Sequence, residues 1–151
     1  MIDTKRLLAT LHALTEGEHL YLPNLSNAAA LLNETLTDIN WVGFYLMVDG
    51  ELVLGPFQGK PACIRIPVGR GVCGSAAQSK QTQRIPDVHA FPGHIACDGN
   101  SNSELVVPMC LGDNIIGVLD IDSPVFDRFS VEDQAAMEAF TEMLVKACDW
   151  S

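Results

Sequence analysis

The chain has 151 residues, 48% of them hydrophobic, and a formal net charge of −10 from 9 Lys and Arg against 19 Asp and Glu. That length suits a single domain over residues 1–151 with a core that needs no metal or disulfide to hold it, and the acidic field would repel a phosphate backbone, which excludes nucleic acid as an expected partner. No apolar run approaches the roughly 20 residues of a membrane span and no basic-then-apolar leader opens the chain, so it reads as soluble, cytoplasmic and without a membrane partner.

Lys5 to Leu14 has the pattern of a short helix. A second helix is expected after Pro23 and Asn24, with Leu25, Ala28, Ala29, Leu32 and Leu36 as its apolar stripe. Trp41 to Val48 is continuously apolar and aromatic, which suits a buried strand; Asp49-Gly50 is a tight hairpin turn, and Glu51 to Leu54 starts the return strand. Cys63 to Pro67 is read as a short strand, Val68 to Gly71 as a turn, and about Val72 to Ser79 as a small-residue helix. From Pro86 to Asn102 the sequence is irregular, and a loop of that length in a small domain is commonly functional. Leu105 to Leu111 and Ile115 to Ile121 form two further strands joined by Gly112-Asp113-Asn114. Ser130 caps the last helix with Asp133 in capping-box position, and Ala136, Phe140, Met143, Leu144 and Ala147 form its inner stripe. The acidic residues between Glu132 and Asp149 read as its solvated face. This order gives an α+β domain, an antiparallel sheet with helices packed against it.

The five cysteines are Cys63, Cys73, Cys97, Cys110 and Cys148, with no CxxC pair and hence no usual zinc spacing. Cys97 lies in the long loop among small and polar residues, Gly93-His94-Ile95-Ala96-Cys97-Asp98, where core filler is not expected. Cys110 and Cys148 fall in a strand and near a helix end and read as bystanders. Cys73 falls in the first turn of its helix, where backbone N–H groups favour a thiolate or a bound carboxylate. Glu104, Asp120 and Asp122 stand at strand ends where apolar residues would be expected. Asp120 and Asp122 share a face; a three-residue loop at Gly112–Asn114 sets Glu104 opposite Asp122, whereas a two-residue turn would part them. Crowded carboxylates call for shared protons, an ammonium group or a metal. A metal site from His89, His94, Cys97 and these acids, and a hydrolytic pair of Cys97 with His94 or His89, are the other chemical options.

The motifs Trp41-Val-Gly-Phe-Tyr45, Gly55-Pro-Phe-Gln-Gly-Lys60, Gly69-Arg-Gly-Val-Cys-Gly74, the Cys97 loop and Leu119-Asp-Ile-Asp-Ser123 together resemble the free methionine-R-sulfoxide reductases, single-domain members of the GAF superfamily. The likeness runs from about Leu20 to Trp150. It implies a central antiparallel sheet flanked by N- and C-terminal helices. It also implies Cys97 as the catalytic cysteine, Cys63 as the resolving one, and Cys73 as able to join the exchange. Trp41, Tyr45, Glu104, Asp120 and Asp122 match the substrate pocket. On this resemblance the substrate is free methionine-R-sulfoxide, the reductant thioredoxin, and no metal or organic cofactor takes part. A homodimer paired through terminal helices is a further expectation. The rival from another class is a GAF sensor that binds a small ligand without catalysis. Such sensors usually sit beside an output domain, for which this chain leaves no room, and have no need of three thiols around one pocket.

Overall fold

The computed structural model describes residues 2–94 and 99–151. Six strands make one sheet in the order β3-β2-β1-β6-β5-β4: β1 (Trp41–Val48), β2 (Glu51–Gly59), β3 (Arg65–Pro67), β4 (Gln83–Ile85), β5 (Ser103–Leu111) and β6 (Asn114–Ser123). Every neighbouring pair runs antiparallel. The helices are α1 (Thr4–Thr15), α2 (Tyr21–Thr35), α3 (Gly71–Ser79) and α4 (Val131–Ala147).

Strand side chains alternate between faces, and here the two faces have different duties. Val42 and Phe44 of β1, Leu105 and Val107 of β5, and Leu119 and Ile121 of β6 meet α1, α2 and α4 through Leu11, Leu25, Leu32 and Phe140, all buried. The residues between them point the other way. Trp41, Tyr45, Val106 and Val118 pack there with Val72, Cys73 and Ala76 of α3. The first layer is apolar; the second carries the acids.

The hairpin, the long strands and the capping box stand as read from the sequence. Asp49 and Gly50 take φ of 51° and 84°, the left-handed pair of a two-residue hairpin turn. Ser130 Oγ accepts from Asp133 N at 3.0 Å while Asp133 Oδ2 accepts from Ser130 N at 2.9 Å.

Several boundaries differ. Helix α2 begins at Tyr21, ahead of Pro23, because a first-turn proline forfeits no helical hydrogen bond. Strand β3 begins at Arg65 rather than Cys63, and the three-residue β4 was not expected. Strand β2 runs on to Gly59 past Pro56, since the register jumps from Gly43↔Phe57 to Tyr45↔Leu54. This bulge absorbs a proline that has no N–H for the ladder. A Cβ at Gly43 would come within 2.3 Å of the Phe57 Cβ, so only glycine fits there. Among the described residues of Pro86 to Asn102 there is one 3₁₀ turn, at Val88–Ala90. Among the described residues no helix is long and apolar enough to cross a membrane.

The link between β5 and β6 is a correction. Leu111 pairs with Asn114, so the turn has two residues, not three. A regular ladder from that turn would set Glu104 and Asp122 on opposite faces. Instead Met109 pairs with Gly117 while Cys110 pairs with Ile115, so Ile116 is one extra residue in β6. The bulge shifts the register back, and Glu104 stands directly across from Asp122.

Candidate active site

Three strands contribute to one row: Trp41 of β1 pairs with Asp122 of β6, which pairs with Glu104 of β5. In the next row on the same face, Asp120 lies between Gly43 and Val106. The side chains of Trp41, Tyr45, Cys73, Glu104, Asp120 and Asp122 line a single narrow cavity of about 40 Å³, which Arg70, His94 and Ser101 also border. Trp41 stacks between Tyr45 and Phe57, with ring centroids 5.9 and 5.2 Å away, and its indole N–H donates to Lys60 O at 3.1 Å. The ring is thereby fixed as a flat apolar wall. Tyr45 is buried and its hydroxyl donates to Cys63 O at 2.9 Å, which ties the Cys63 backbone to the cavity. Burial, and then the charges of Asp120, Cys73, Asp122 and Glu104, push the phenol upward, so it stays a donor.

The acid cluster departs furthest from ordinary solution behaviour. Glu104 and Asp120 are only 6% and 5% exposed. Burial first, then the charges of Asp120 and Asp122, raise the Glu104 carboxyl well above its usual range, so it holds a proton where an exposed glutamate would not. Asp120 is raised by burial too, against hydrogen bonding from Glu104, Asp122 and Cys73 that pulls it down. Asp120 Oδ1 is buried with no hydrogen-bond partner among the described residues. An unanswered carboxylate oxygen in such a place is costly, and Asp120 is one of the residues lining the cavity.

Cys73 lies in the first turn of α3, as expected, but its thiolate is not favoured. The helix end offers at most about 2 kcal/mol, whereas desolvating an ion costs several. The thiol is buried, and desolvation followed by repulsion from Asp120, Glu104 and Asp122 drives it well above the usual cysteine value. Burial wins over the dipole. Its Sγ stands 4.0 Å from Glu104 Oε2, and His94 Nε2 stands 3.8 Å from Glu104 Oε1. Desolvation, with His89 adding to it, holds His94 below its ordinary value, so the ring is neutral near pH 7.

Cys63 is disulfide-bonded, whereas Cys73, Cys110 and Cys148 are free thiols. Cys110 is half-buried in β5, and Cys148 is buried with Asn24 Nδ2 3.6 Å from its sulfur. Cys97, the sequence's choice of attacking sulfur, lies outside the described residues. His89 is drawn away from the metal grouping considered for it: it is exposed, with Nε2 2.9 Å from Asn102 Oδ1. Among the described residues, the donor atoms that do converge are those of Cys73, Glu104 and Asp120, all within 4.8 Å of one another. Sequence reasoning missed Ser101 and Arg70 as cavity residues; Ser101 Oγ accepts from Asn40 Nδ2 at 3.1 Å, a contact across 61 positions that no local pattern announces. The sequence sets His94 with these acids as one ligand of a metal site, or with Cys97 as a hydrolytic pair; the structure puts it 3.8 Å from Glu104 as a neutral ring.

An antiparallel sheet with three helices on one face, and one helix closing a cavity on the other, defines the GAF domain class, and the GAF domain family matches residues 6–148. The free methionine-R-sulfoxide reductase of Escherichia coli (strain K12) is 60% identical over 135 residues, 89% of this chain and 82% of that protein. The fRMsr of Staphylococcus aureus, solved in complex with substrate, superposes with a TM-score of 0.93 at 51% identity, covering 97% of this chain and 96% of that one. The free methionine-R-sulfoxide reductase of Neisseria meningitidis, also solved with its substrate, gives 0.92 at 42% identity over 95% and 87% of the two chains. This chain belongs to the free methionine-R-sulfoxide reductase family.

Proposed function

We propose that this chain reduces free methionine-R-sulfoxide to methionine by a cysteine nucleophile. The observation that carries the reading is the row of Trp41, Asp122 and Glu104, with Asp120 beside it: an indole wall and a buried acid cluster in one cavity. A free amino acid brings an ammonium group that relieves such a cluster, whereas the backbone nitrogen of a peptide residue carries no charge. The S-methyl group rests on Trp41. Glu104, holding its proton, hydrogen-bonds the sulfoxide oxygen and makes the sulfur electrophilic.

The Cys97 thiolate attacks that sulfur. The attack forms a transient S–S bond; the oxygen then passes from the substrate sulfur to the Cys97 sulfur as the substrate S–O bond and that S–S bond break, methionine leaves with the electron pair, and Cys97, with the proton supplied from Glu104, is left as sulfenic acid. The Cys63 thiol then attacks the sulfenic acid, water leaves, and a disulfide forms that a thioredoxin-class dithiol reduces. Cys73, kept as a thiol by burial, is the reserve in the exchange rather than the first resolver. Dependence on a reduced dithiol protein places the activity in a reducing compartment such as the cytoplasm.

The test supplies the two sulfoxide epimers with a thioredoxin system and follows NADPH. The R epimer should be consumed and Cys97→Ser should abolish consumption; equal use of the S epimer, or full activity in Cys97→Ser, would refute the reading. Prereduced Cys63→Ser should release about one methionine per chain and then stall, because only the buried Cys73 remains to resolve its sulfenic acid; continued normal cycling would give Cys73 that role.

A further inference from the structure

The cavity contains a donor set that the reductive steps do not use as a set. Cys73 Sγ and one carboxylate oxygen each from Glu104 and Asp120 lie within 4.8 Å of one another. All three residues are buried, at 5%, 6% and 5% exposure. Acids grouped together are not by themselves a binding site. The second observation is Asp120 Oδ1, which is buried without a hydrogen-bond partner among the described residues, on a residue that lines this cavity. His94 Nε2, 3.8 Å from Glu104 Oε1, is at hand as a further donor.

We propose that Cys73, Glu104 and Asp120 form a site for a zinc-class divalent cation that blocks the substrate pocket reversibly. The donor types select the ion. A thiolate is a soft ligand that magnesium and calcium do not favour, and one sulfur with two carboxylates and a nearby imidazole is a zinc or cobalt set. Binding is an exchange of protons for metal: the cation takes the place of the Cys73 thiol proton and of a carboxyl proton shared in the cluster, both protons pass to buffer, and no electrons move. Affinity therefore rises with pH. The cation supplies the same relief from crowded negative charge that an ammonium group would, so metal and amino acid exclude each other. It also holds Cys73 as a bound thiolate, out of disulfide exchange.

Cobalt(II) is the probe, added to the disulfide form of the full chain, in which Cys63 is not a thiol. One cobalt per chain should bind with a thiolate-to-cobalt charge-transfer band. Cys73→Ser should lose that band, Asp120→Asn should weaken binding at least tenfold, and the Cys110→Ser/Cys148→Ser double variant should leave it unchanged. Zinc should displace the cobalt, and excess free methionine should displace more of it than glycine at the same concentration, since both amino acids chelate cobalt in solution. Thermal melts of each variant establish that it is folded; should Cys73→Ser not fold, the Asp120→Asn titration decides alone. Absence of the band in the unmodified chain, its survival in folded Cys73→Ser, undiminished binding in Asp120→Asn, or displacement by methionine no greater than by glycine would each overturn the proposal. No turnover enters these readouts, so they are independent of the reductase reading except in the choice of methionine as competitor.

Discussion

Replacing Glu104 with glutamine removes one ionisable group from the acid cluster while keeping its shape. Glu104 holds its proton in the folded chain well above its reference value of 4.5. Above that value the folded state binds a proton that the unfolded state has released, so stability falls as pH rises. Each pH unit across that window costs about 1 kcal/mol for one retained proton. As pH rises above 5 the unmodified protein should therefore lose stability at that rate for as long as Glu104 keeps its proton, roughly 2–4 °C in melting temperature per pH unit for a domain of this size. Glu104→Gln should flatten that slope by one proton's worth and melt above the unmodified protein at pH 7; Asp120, raised by burial, keeps some slope in the variant. The assay is a set of thermal melts in chelator-containing buffers across pH 5 to 7. Parallel curves for the two proteins would mean that Glu104 is ionised in the folded state, and the proton-donor role would go with it.

Other consequences of the geometry are as readily measured. With the disulfide reduced, Cys73 should resist alkylation near pH 8 while Cys63 reacts, because burial keeps the Cys73 thiol protonated; mass spectrometry of the labelled peptides would show it, and equal labelling would contradict it. Ser130→Ala breaks the capping box of α4 and should lower stability by about 1 kcal/mol in denaturant titration. Deleting Ile116 should remove the bulge yet leave Glu104 opposite Asp122, because Cys110↔Ile115 and Met109↔Gly117 then follow one another in a regular ladder; a loss of about 1–3 kcal/mol in denaturant titration with turnover retained is expected, and loss of turnover in the folded variant would contradict it.

What the sequence disclosed, and what it hid, divides along a physical line. Local chemistry was legible: Asp49-Gly50 announces its turn, Ser130 and Asp133 their box, and the period-two spacing of Asp120 and Asp122 a shared face. The meeting of Glu104 with Asp122 was conditional on loop length, and the condition it named is not the one at work. The turn is shorter than required and a bulge restores the register, held where Gly117 lets β6 approach β1; neighbour contacts of that kind leave no mark on a single strand. Strand β4 is too short to show a period. The protonation of Cys73 was misjudged because helix position is local, whereas the burial and the three carboxylates that override it come from β5 and β6.

Gly117 has one more implication. A Cβ there would fall 2.4 Å from Tyr45 O, so β6 is clamped to its neighbour at that point, while the tip at Gly112 and Asp113 is exposed. The hairpin tip lies at the opposite end of the same two strands from the acids, its Asp113 carbonyl accepting from Lys80 Nζ. Foreign sequence spliced between those two residues, an epitope or a peptide that captures a dye, would ride on the protein without disturbing its chemistry. The clamp thus marks where this scaffold tolerates a graft.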